Sequence, residues 1–536
     1  MRALLRPRCL LVVFATLGVV LGAVPAAGAA TATSVPQAAP GKKPNIVFIL
    51  TDDLDLTSYL DPSRFPKVNS LLVDKGTTLS NYFVTDSLCC PSRSSTLRGQ
   101  YVHEHGVLGN VGPHGGYQQF HGNGDEKSTV ATWLHDAGYR TGLLGKYLNG
   151  YPQTVDPAFV PPGWDEWDSP TSGGNPYSEY NYRLNENGKL VRYGSSPDDY
   201  LVDALSRKSS EFIQQKSDKP SFLYVAPYVP HLPATPAPRY ADAFPGVQAP
   251  RTPSFNQADM SAEPQWLQNR PLLGNQQIST IDQVYRRRLQ SMLGVEDMVQ
   301  NVVDALQKTG QLDNTYIVFT SDNGFHLGQH RLPPGKQTAF EEDIHVPLIV
   351  RGPGVPQGKM VDDFAMNIDF APTFAALAGA KTPGFVNGQS LVPELHGKKP
   401  EHERKDVLVE HYAEGGKKQK RQGQARQTAA LTAKDPDNDT NPPDAGTPAT
   451  GPSAPVVRRG QFPGVAIPEY AALRTERYTY VEYVTGERQL YDLRADPDEL
   501  HNIVSTADPK LAQDLAKQLS ALKTCKGGGC RAADRG

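Results

Sequence analysis

Asn45-Ile-Val-Phe-Ile-Leu50 runs straight into Thr51-Asp52-Asp53, an apolar stretch ending in two adjacent carboxylates. A short run with no polar interruption reads as a strand buried on both faces, as in a parallel sheet covered by helices. In such open α/β sheets ligands collect beyond the carboxyl ends of the strands, which is where Asp52 and Asp53 fall. From here strand-like and helix-like stretches alternate. The pattern predicts helices over Thr129–Ala137, Tyr200–Gln214 and Val284–Lys308 and around Pro372–Leu377. It predicts strands over Tyr139–Leu144, Phe222–Ala226, Thr315–Thr320 and Val346–Val350. This is an α/β fold: a large, mostly parallel or mixed sheet sandwiched by helices.

The rest of the chain bounds the function. Lys and Arg total 54 against 57 Asp and Glu, a net charge of −3 that offers no global attraction to nucleic acid or an anionic membrane. Hydrophobic content of 38% with 21% charged residues excludes wholesale disorder, and five cysteines exclude a disulfide scaffold. Residues 1–29 read as a secretory signal: Arg2, Arg6 and Arg8, then apolar Leu10–Val24, then Ala27-Gly28-Ala29. That apolar run is shorter than the roughly 20 residues of a membrane span. The mature chain is therefore expected to be exported after cleavage near Ala29, with no membrane in its mature form. Residues 30–43 form a small-residue and Pro-rich linker. Residues 415–460 read as a flexible low-complexity insert, in which Lys417, Lys418, Lys420 and Arg421 are a solvated charge run. Beyond it, Tyr470–Thr475, Tyr478–Val484 and Gln489–Leu493 predict a small antiparallel sheet, and Pro509–Leu522 a helix, in a subdomain over 461–524. Residues 525–536 are a tail.

A second polar cluster, Asp322-Asn323-Gly324, follows the strand at 315–320. Alone, Asp52-Asp53 is equally a turn cap. Together the two clusters offer three carboxylates and an amide oxygen, an all-oxygen set for a hard cation, Ca²⁺ in preference to Mg²⁺. A zinc site would want imidazole or thiolate. The third feature is Cys89-Cys90-Pro91-Ser92-Arg93, then Leu97-Arg98-Gly99. Pro91 suits a first helical turn, placing residue 89 at a helix amino terminus, where anions bind. Taken alone, this motif is equally a vicinal disulfide, a buried thiol pair or a redox cysteine.

Here the chain resembles the type I sulfatases of the alkaline-phosphatase superfamily, whose signature is Cys-x-Pro-Ser-Arg, three residues, then Leu-Thr-Gly. Arg98 stands where that signature has Thr. The resemblance runs from Pro44 to the carboxyl terminus and is nearest to the N-acetylglucosamine-6-sulfatase branch, which includes the extracellular heparan-sulfate 6-O-endosulfatases. Gly145-Lys-Tyr-Leu-Asn149, Thr320-Ser-Asp-Asn-Gly324, Val346-Pro-Leu-Ile-Val-Arg-Gly-Pro-Gly354 and Tyr491-Asp-Leu-Arg-Ala-Asp-Pro497 also carry it. It implies that 44–414 is the catalytic domain and that Cys89, not Cys90, is oxidised to formylglycine (3-oxoalanine) by a formylglycine-generating enzyme. It implies one Ca²⁺ on Asp52, Asp53, Asp322, Asn323 and modified Cys89. Arg93 would steady the formylglycine hydrate, Lys146 and Lys336 would hold sulfate, and His231 would face the ester oxygen. The substrate would be a sulfated sugar or an aryl sulfate. Many arylsulfatases have a His where this chain has Leu148; His103 and His105 are the candidates to stand in, or else a solvent-facing pair on the pocket rim. Cys90 is expected to be a buried neighbour, and Cys525 and Cys530 suit a small disulfide consistent with export. Two competing expectations are a phosphomonoester or phosphonate hydrolase on the same fold and a noncatalytic polysaccharide-binding relative.

Overall fold

The apolar run becomes β1 (Asn45–Thr51), buried along its whole length. Its side chains alternate between two cores, which is why the sequence shows no polar interruption. Ile46, Phe48 and Leu50 enter one core, where Phe48 packs 4.8 Å from Phe370 of the helix Phe370–Ala378. Val47 and Ile49 enter the other, beneath the helices Leu201–Gln214 and Asn275–Lys308. The computed structural model describes residues 42–59, 61–400, 402–413, 457 and 461–535. The signal reading, nearly all of the linker and nearly all of the 415–460 insert lie outside these residues.

Among the described residues the main sheet has ten strands. Their order is β10 (Lys359–Met366), β2 (Thr77–Phe83), β9 (Leu348–Arg351), β8 (Thr315–Ser321), β1, β7 (Ser221–Ala226), β3 (Arg140–Gly145), β4 (Glu166–Pro170), β5 (Arg183–Glu186) and β6 (Lys189–Arg192). The run β8-β1-β7-β3-β4 is parallel throughout. Antiparallel pairs join β8 to β9, β9 to β2, β4 to β5 and β5 to β6, so the sheet is mixed. Register brings the carboxyl ends of the parallel strands level: Thr51 pairs with Ser321, and Gly145 with Ala226. The residues that follow these ends, Asp52, Asp322, Lys146 and the loop to His231, therefore emerge at one edge of the sheet.

The long helix begins at Asn275, nine residues before the predicted Val284. Its first turns, Asn275-Gln-Gln-Ile-Ser-Thr280, are mostly polar, and apolar periodicity is carried only from Ile281 onward. β5 and β6 escaped the pattern because each is four residues long, too short to carry a period, and the outermost strand is largely exposed. Among the described residues the small sheet has four antiparallel strands: β11 (Asp406–His411), β12 (Tyr470–Thr475), β13 (Tyr478–Tyr483) and β14 (Arg488–Asp492). Its first strand precedes the insert in sequence. The helix Pro509–Thr524 packs on this sheet and is capped by Asp508, whose carboxylate accepts the Lys510 N–H at 2.9 Å. Cys525 and Cys530 are disulfide-bonded, and Asp534 of the tail pairs with buried Arg404 at 2.9 Å.

Candidate active site

Four strand ends, one helix start and one loop converge. The helix Cys89–Arg98 begins at the predicted cysteine, has Pro91 in its first turn, and ends at left-handed Gly99. Its ten residues are all buried. Cys89 Sγ points at the end of β1: it donates to Asp52 Oδ1 at 3.4 Å and accepts from Lys336 Nζ at 2.8 Å. Cys90 faces the core, and its N–H donates to Asn110 Oδ1 at 2.8 Å.

The carboxylates are fixed by local backbone geometry. Asp53 adopts a left-handed φ of 68°, which Asp tolerates better than most residues, turning the chain away from Asp52. Asp322 Oδ1 accepts the N–H groups of Asp53 (3.1 Å) and Asn323 (2.9 Å). Arg93 Nε donates to Asp322 Oδ2 at 2.7 Å, and its Nη1 to the Lys146 carbonyl at 3.1 Å. Glycine is required at the end of β3: Gly145 has φ 104°, and a Cβ there would lie 2.1 Å from the Ala226 carbonyl oxygen. That close approach delivers Lys146, whose Nζ reaches Asp52 Oδ2 at 2.7 Å. Lys336 Nζ reaches Asp53 Oδ1 at 2.5 Å. The Lys336 loop is pinned from behind by Asp343, which accepts from Thr338 N (2.9 Å), Thr338 Oγ1 (2.6 Å) and His326 Nδ1 (3.0 Å). His231 Nδ1 donates to the Leu232 carbonyl at 2.7 Å, turning Nε2 to within 3.8 Å of Asp53 Oδ2.

All of these groups are almost wholly inaccessible to solvent, so their charges act in a low-dielectric setting. Burial alone would raise Asp53, but Lys336 and then His231 outweigh it and hold the carboxyl at about 2. Asp52 is lowered for the same reason, with Lys146 and His231 overcoming burial. Burial first, and Asp52 next, push the Cys89 thiol up, so it is a protonated thiol here and not a thiolate. Three carboxylates thus face three fixed cations, Lys146, Lys336 and Arg93. Ligand atoms of Asp52, Cys89 and Asp322 lie within 4.8 Å of one another. Among the described residues, Asp53 Oδ2 and Asn323 Oδ1 are buried oxygens with no hydrogen-bond partner. Oxygen donors converging with two left over suit a hard cation. A divalent ion would make the pocket net positive, as binding an anionic ester requires.

Residues 44–380 match the sulfatase family model. The chain belongs to the sulfatase family. This sulfatase is 35% identical over 527 residues to the human N-acetylglucosamine-6-sulfatase, covering 92% of this chain and 87% of that one. It is 31% identical over 545 residues to an arylsulfatase of Chlamydomonas reinhardtii, covering 94% of this chain and 77% of the relative. Its fold is similar to that of a protein solved in complex with its substrate, D-glucosamine-2-N,6-O-disulfate. That match has a TM-score of 0.67 at 24% identity and covers 89% of this chain and 97% of the other. The sulfatase is a sulfuric ester hydrolase.

The structure brings Cys89, Arg93, Lys146, His231, Lys336, Asp52, Asp53, Asp322 and Asn323 into this one cluster. It does not place His103 or His105 there with a titrating role. His103 Nδ1 donates to Glu410 Oε2 (2.9 Å) and Nε2 to the Cys525 carbonyl (3.1 Å), which fixes a charged ring. His105 bonds Ser95 Oγ at 3.0 Å and accepts the Val107 N–H at 3.1 Å, which fixes a neutral one. Both border a polar cavity of about 620 Å³ with His114, Gln119 and Tyr412. Leu148 is buried in the core beside Tyr147, so no proton carrier occupies that position. Arg98, the departure from the signature, has work of its own: it donates to the carbonyls of Asp125 (3.0 Å) and Ser128 (2.9 Å) and to Gln100 Oε1 (2.6 Å).

Three contributors were missed from sequence. Arg288, in the middle of the long helix, donates to the Asp53 carbonyl, to Asp55 Oδ1 (2.7 Å) and to the Pro230 carbonyl (3.2 Å), tying the β1 and β7 loops together. Tyr177 and Tyr228 flank Lys146, whose Nζ lies 5.1 and 5.6 Å from their ring centroids. No local signal marks any of the three.

Proposed function

We propose that this sulfatase releases sulfate from the 6-position of N-acetylglucosamine-type sugars, as an exported enzyme using one Ca²⁺ and a formylglycine made from Cys89. The observation that carries the catalytic part is Cys89 Sγ at a helix start, held between Lys336 Nζ and Asp52 Oδ1. The substrate rests on the 35% identity to an N-acetylglucosamine-6-sulfatase over most of both chains. Export rests on the reading of residues 1–29, and maturation calls for a formylglycine-generating enzyme as partner.

Calcium on Asp52, Asp53, Asp322, Asn323 and residue 89 would supply Lewis-acid polarisation of a sulfate oxygen. Formylglycine at residue 89, as its hydrate, would supply the hydroxyl that attacks sulfur. The chain's own residues do the rest. Lys146 and Lys336 neutralise nonbridging oxygens where negative charge grows in the transition state. Arg93 anchors Asp322 through Nε and would steady the formylglycine hydrate at residue 89. His231, with Nδ1–H committed to the Leu232 carbonyl, presents Nε2 toward the departing alcohol oxygen and delivers its proton there. Burial of the whole cluster excludes bulk water from the reacting groups.

A second reading, hydrolysis of simple aryl sulfates, is favoured by the similarity to the algal arylsulfatase. The discriminating assay measures kcat/KM on N-acetylglucosamine 6-sulfate, 4-nitrophenyl sulfate and 4-nitrophenyl phosphate. The proposal requires the sugar ester to be turned over with the highest efficiency. Turnover of the aryl sulfate alone overturns the sugar assignment, and preference for phosphate overturns the sulfate one.

A further inference from the structure

Every group assigned to the sulfate end of this site is buried, Lys146 and His231 each being 2% exposed. The alcohol half of the ester must therefore lie where the cluster first meets solvent, on the His231 side. A half-buried residue on that side is Tyr177. Its ring centroid is 4.6 Å from that of His231, and the ring is half-buried while everything beneath it is closed off. Tyr228 meets it edge-on at 4.8 Å and 88°, fixing the plane of the Tyr177 ring. Lys146 Nζ is 5.1 Å from the Tyr177 centroid, so one aromatic side chain touches both the anion-binding lysine and the leaving-group histidine.

The support beneath Tyr177 is built, not incidental. It sits in the short turn Pro176–Ser178, in the connection between β4 and β5. Ser178 Oγ is within 2.7 Å of both the Asn175 and the Tyr180 carbonyl oxygens. Glu179 then takes a left-handed φ of 65° and caps the helix Leu201–Gln214. Its carbonyl accepts the Leu201 N–H at 3.0 Å and its carboxylate the Val202 N–H at 3.2 Å. The turn is thereby clamped to a core helix, and the ring is presented in a fixed orientation.

We propose that Tyr177, oriented by Tyr228, is the platform on which the alcohol half of the ester lies, and that it selects leaving groups with a flat apolar face, such as the face of a pyranose. The inference rests on the sulfate-ester reading above and adds a specificity determinant to it. An aromatic ring buries apolar C–H surface without demanding a fixed hydroxyl pattern, which suits the body of a sugar whose charged end is held elsewhere.

The test separates the two ends of the site. KM is measured for N-acetylglucosamine 6-sulfate and 4-nitrophenyl sulfate, and inorganic sulfate serves as an inhibitor that occupies the anion end alone. Tyr177→Ala is expected to raise KM for both ring esters by about tenfold while the inhibition constant of sulfate stays within about twofold. Tyr177→Phe and Tyr177→Trp, which keep a ring, are expected to recover most of that loss. These two also report if Tyr177→Ala fails to fold. An unchanged KM in Tyr177→Ala overturns the proposal. So does a sulfate inhibition constant that rises in step with KM, because Tyr177 would then be acting through Lys146. If the wild-type enzyme hydrolyses only the aryl ester, the sugar assignment fails, and the KM-against-sulfate comparison on that ester still decides the platform.

Discussion

His105→Gln separates a structural histidine from a catalytic one. Val107 N–H donates to Nδ1 and Nε2–H donates to Ser95 Oγ, so protonating the ring would set one donor against another inside the core. Burial first, then the nearby Arg98 and His103 charges, hold this imidazole down to about 3 from an ordinary 6.5. Because the folded state binds the proton later than the unfolded chain, stability is complete above 6.5 and is lost as pH falls from 6.5 toward 3. The full span corresponds to about 5 kcal/mol, of which about 2 kcal/mol is expressed between pH 7.5 and 5. His105→Gln removes this pH-dependent contribution. The assay is urea unfolding of wild type and variant at both pH values, read as the difference between them so that other titrating groups cancel. The variant's stability relative to wild type should improve by about 2 kcal/mol on going to pH 5. The pH dependence of kcat should not move. A stability difference that is the same at both pH values refutes the tautomer argument. Loss of a limb of the kcat profile refutes the structural assignment and restores His105 as a proton carrier.

Other outcomes follow from the same geometry. Lys336→Met strands Asp53 and removes a transition-state cation, so kcat/KM on 4-nitrophenyl sulfate should fall by about 10²–10³; a near-wild-type value would remove Lys336 from the site. Adding calcium to chelator-treated protein should restore activity and raise unfolding stability by about 2.7 kcal/mol at 100 times its dissociation constant, and an unchanged melting profile would contradict the oxygen-ligand set. Arg98→Thr, which restores the family signature, should cost about 2–4 kcal/mol in urea unfolding, because the guanidinium's carbonyl partners and Asp125 lose their donor. Stability equal to wild type would show these contacts to be idle.

How much of this was legible depended on where each residue's constraint arises. Asn45–Leu50 revealed β1 because burial on both faces forbids polar residues. Asp52-Asp53 and Asp322-Asn323 were legible as strand-end clusters, and their juxtaposition follows from the parallel pairing of β1 with β8. Pro91 placed Cys89 at a helix start on backbone grounds alone. Lys146, His231 and Lys336 were reached only through family resemblance, since a lysine after a strand or a histidine between prolines has no local signature. Arg288 was hidden further: one of three consecutive arginines, Arg286-Arg287-Arg288, it is 1% exposed and braces two loops of the candidate site. Tyr177 lies in the connection between β4 and β5, short strands that gave no hint that this connection returns to the site. Contacts of this kind are set by tertiary approach, and neither periodicity nor capping chemistry encodes them.

The central claim is that Cys89 becomes the reactive group of a sulfate-ester hydrolase, and mass spectrometry of the tryptic peptide Gly76–Arg93 from active enzyme tests it most directly. Active enzyme should yield a peptide about 18 Da lighter than the unmodified sequence, with the change at residue 89 and Cys90 intact. An unmodified Cys89 in protein that still turns over sulfate esters would contradict it.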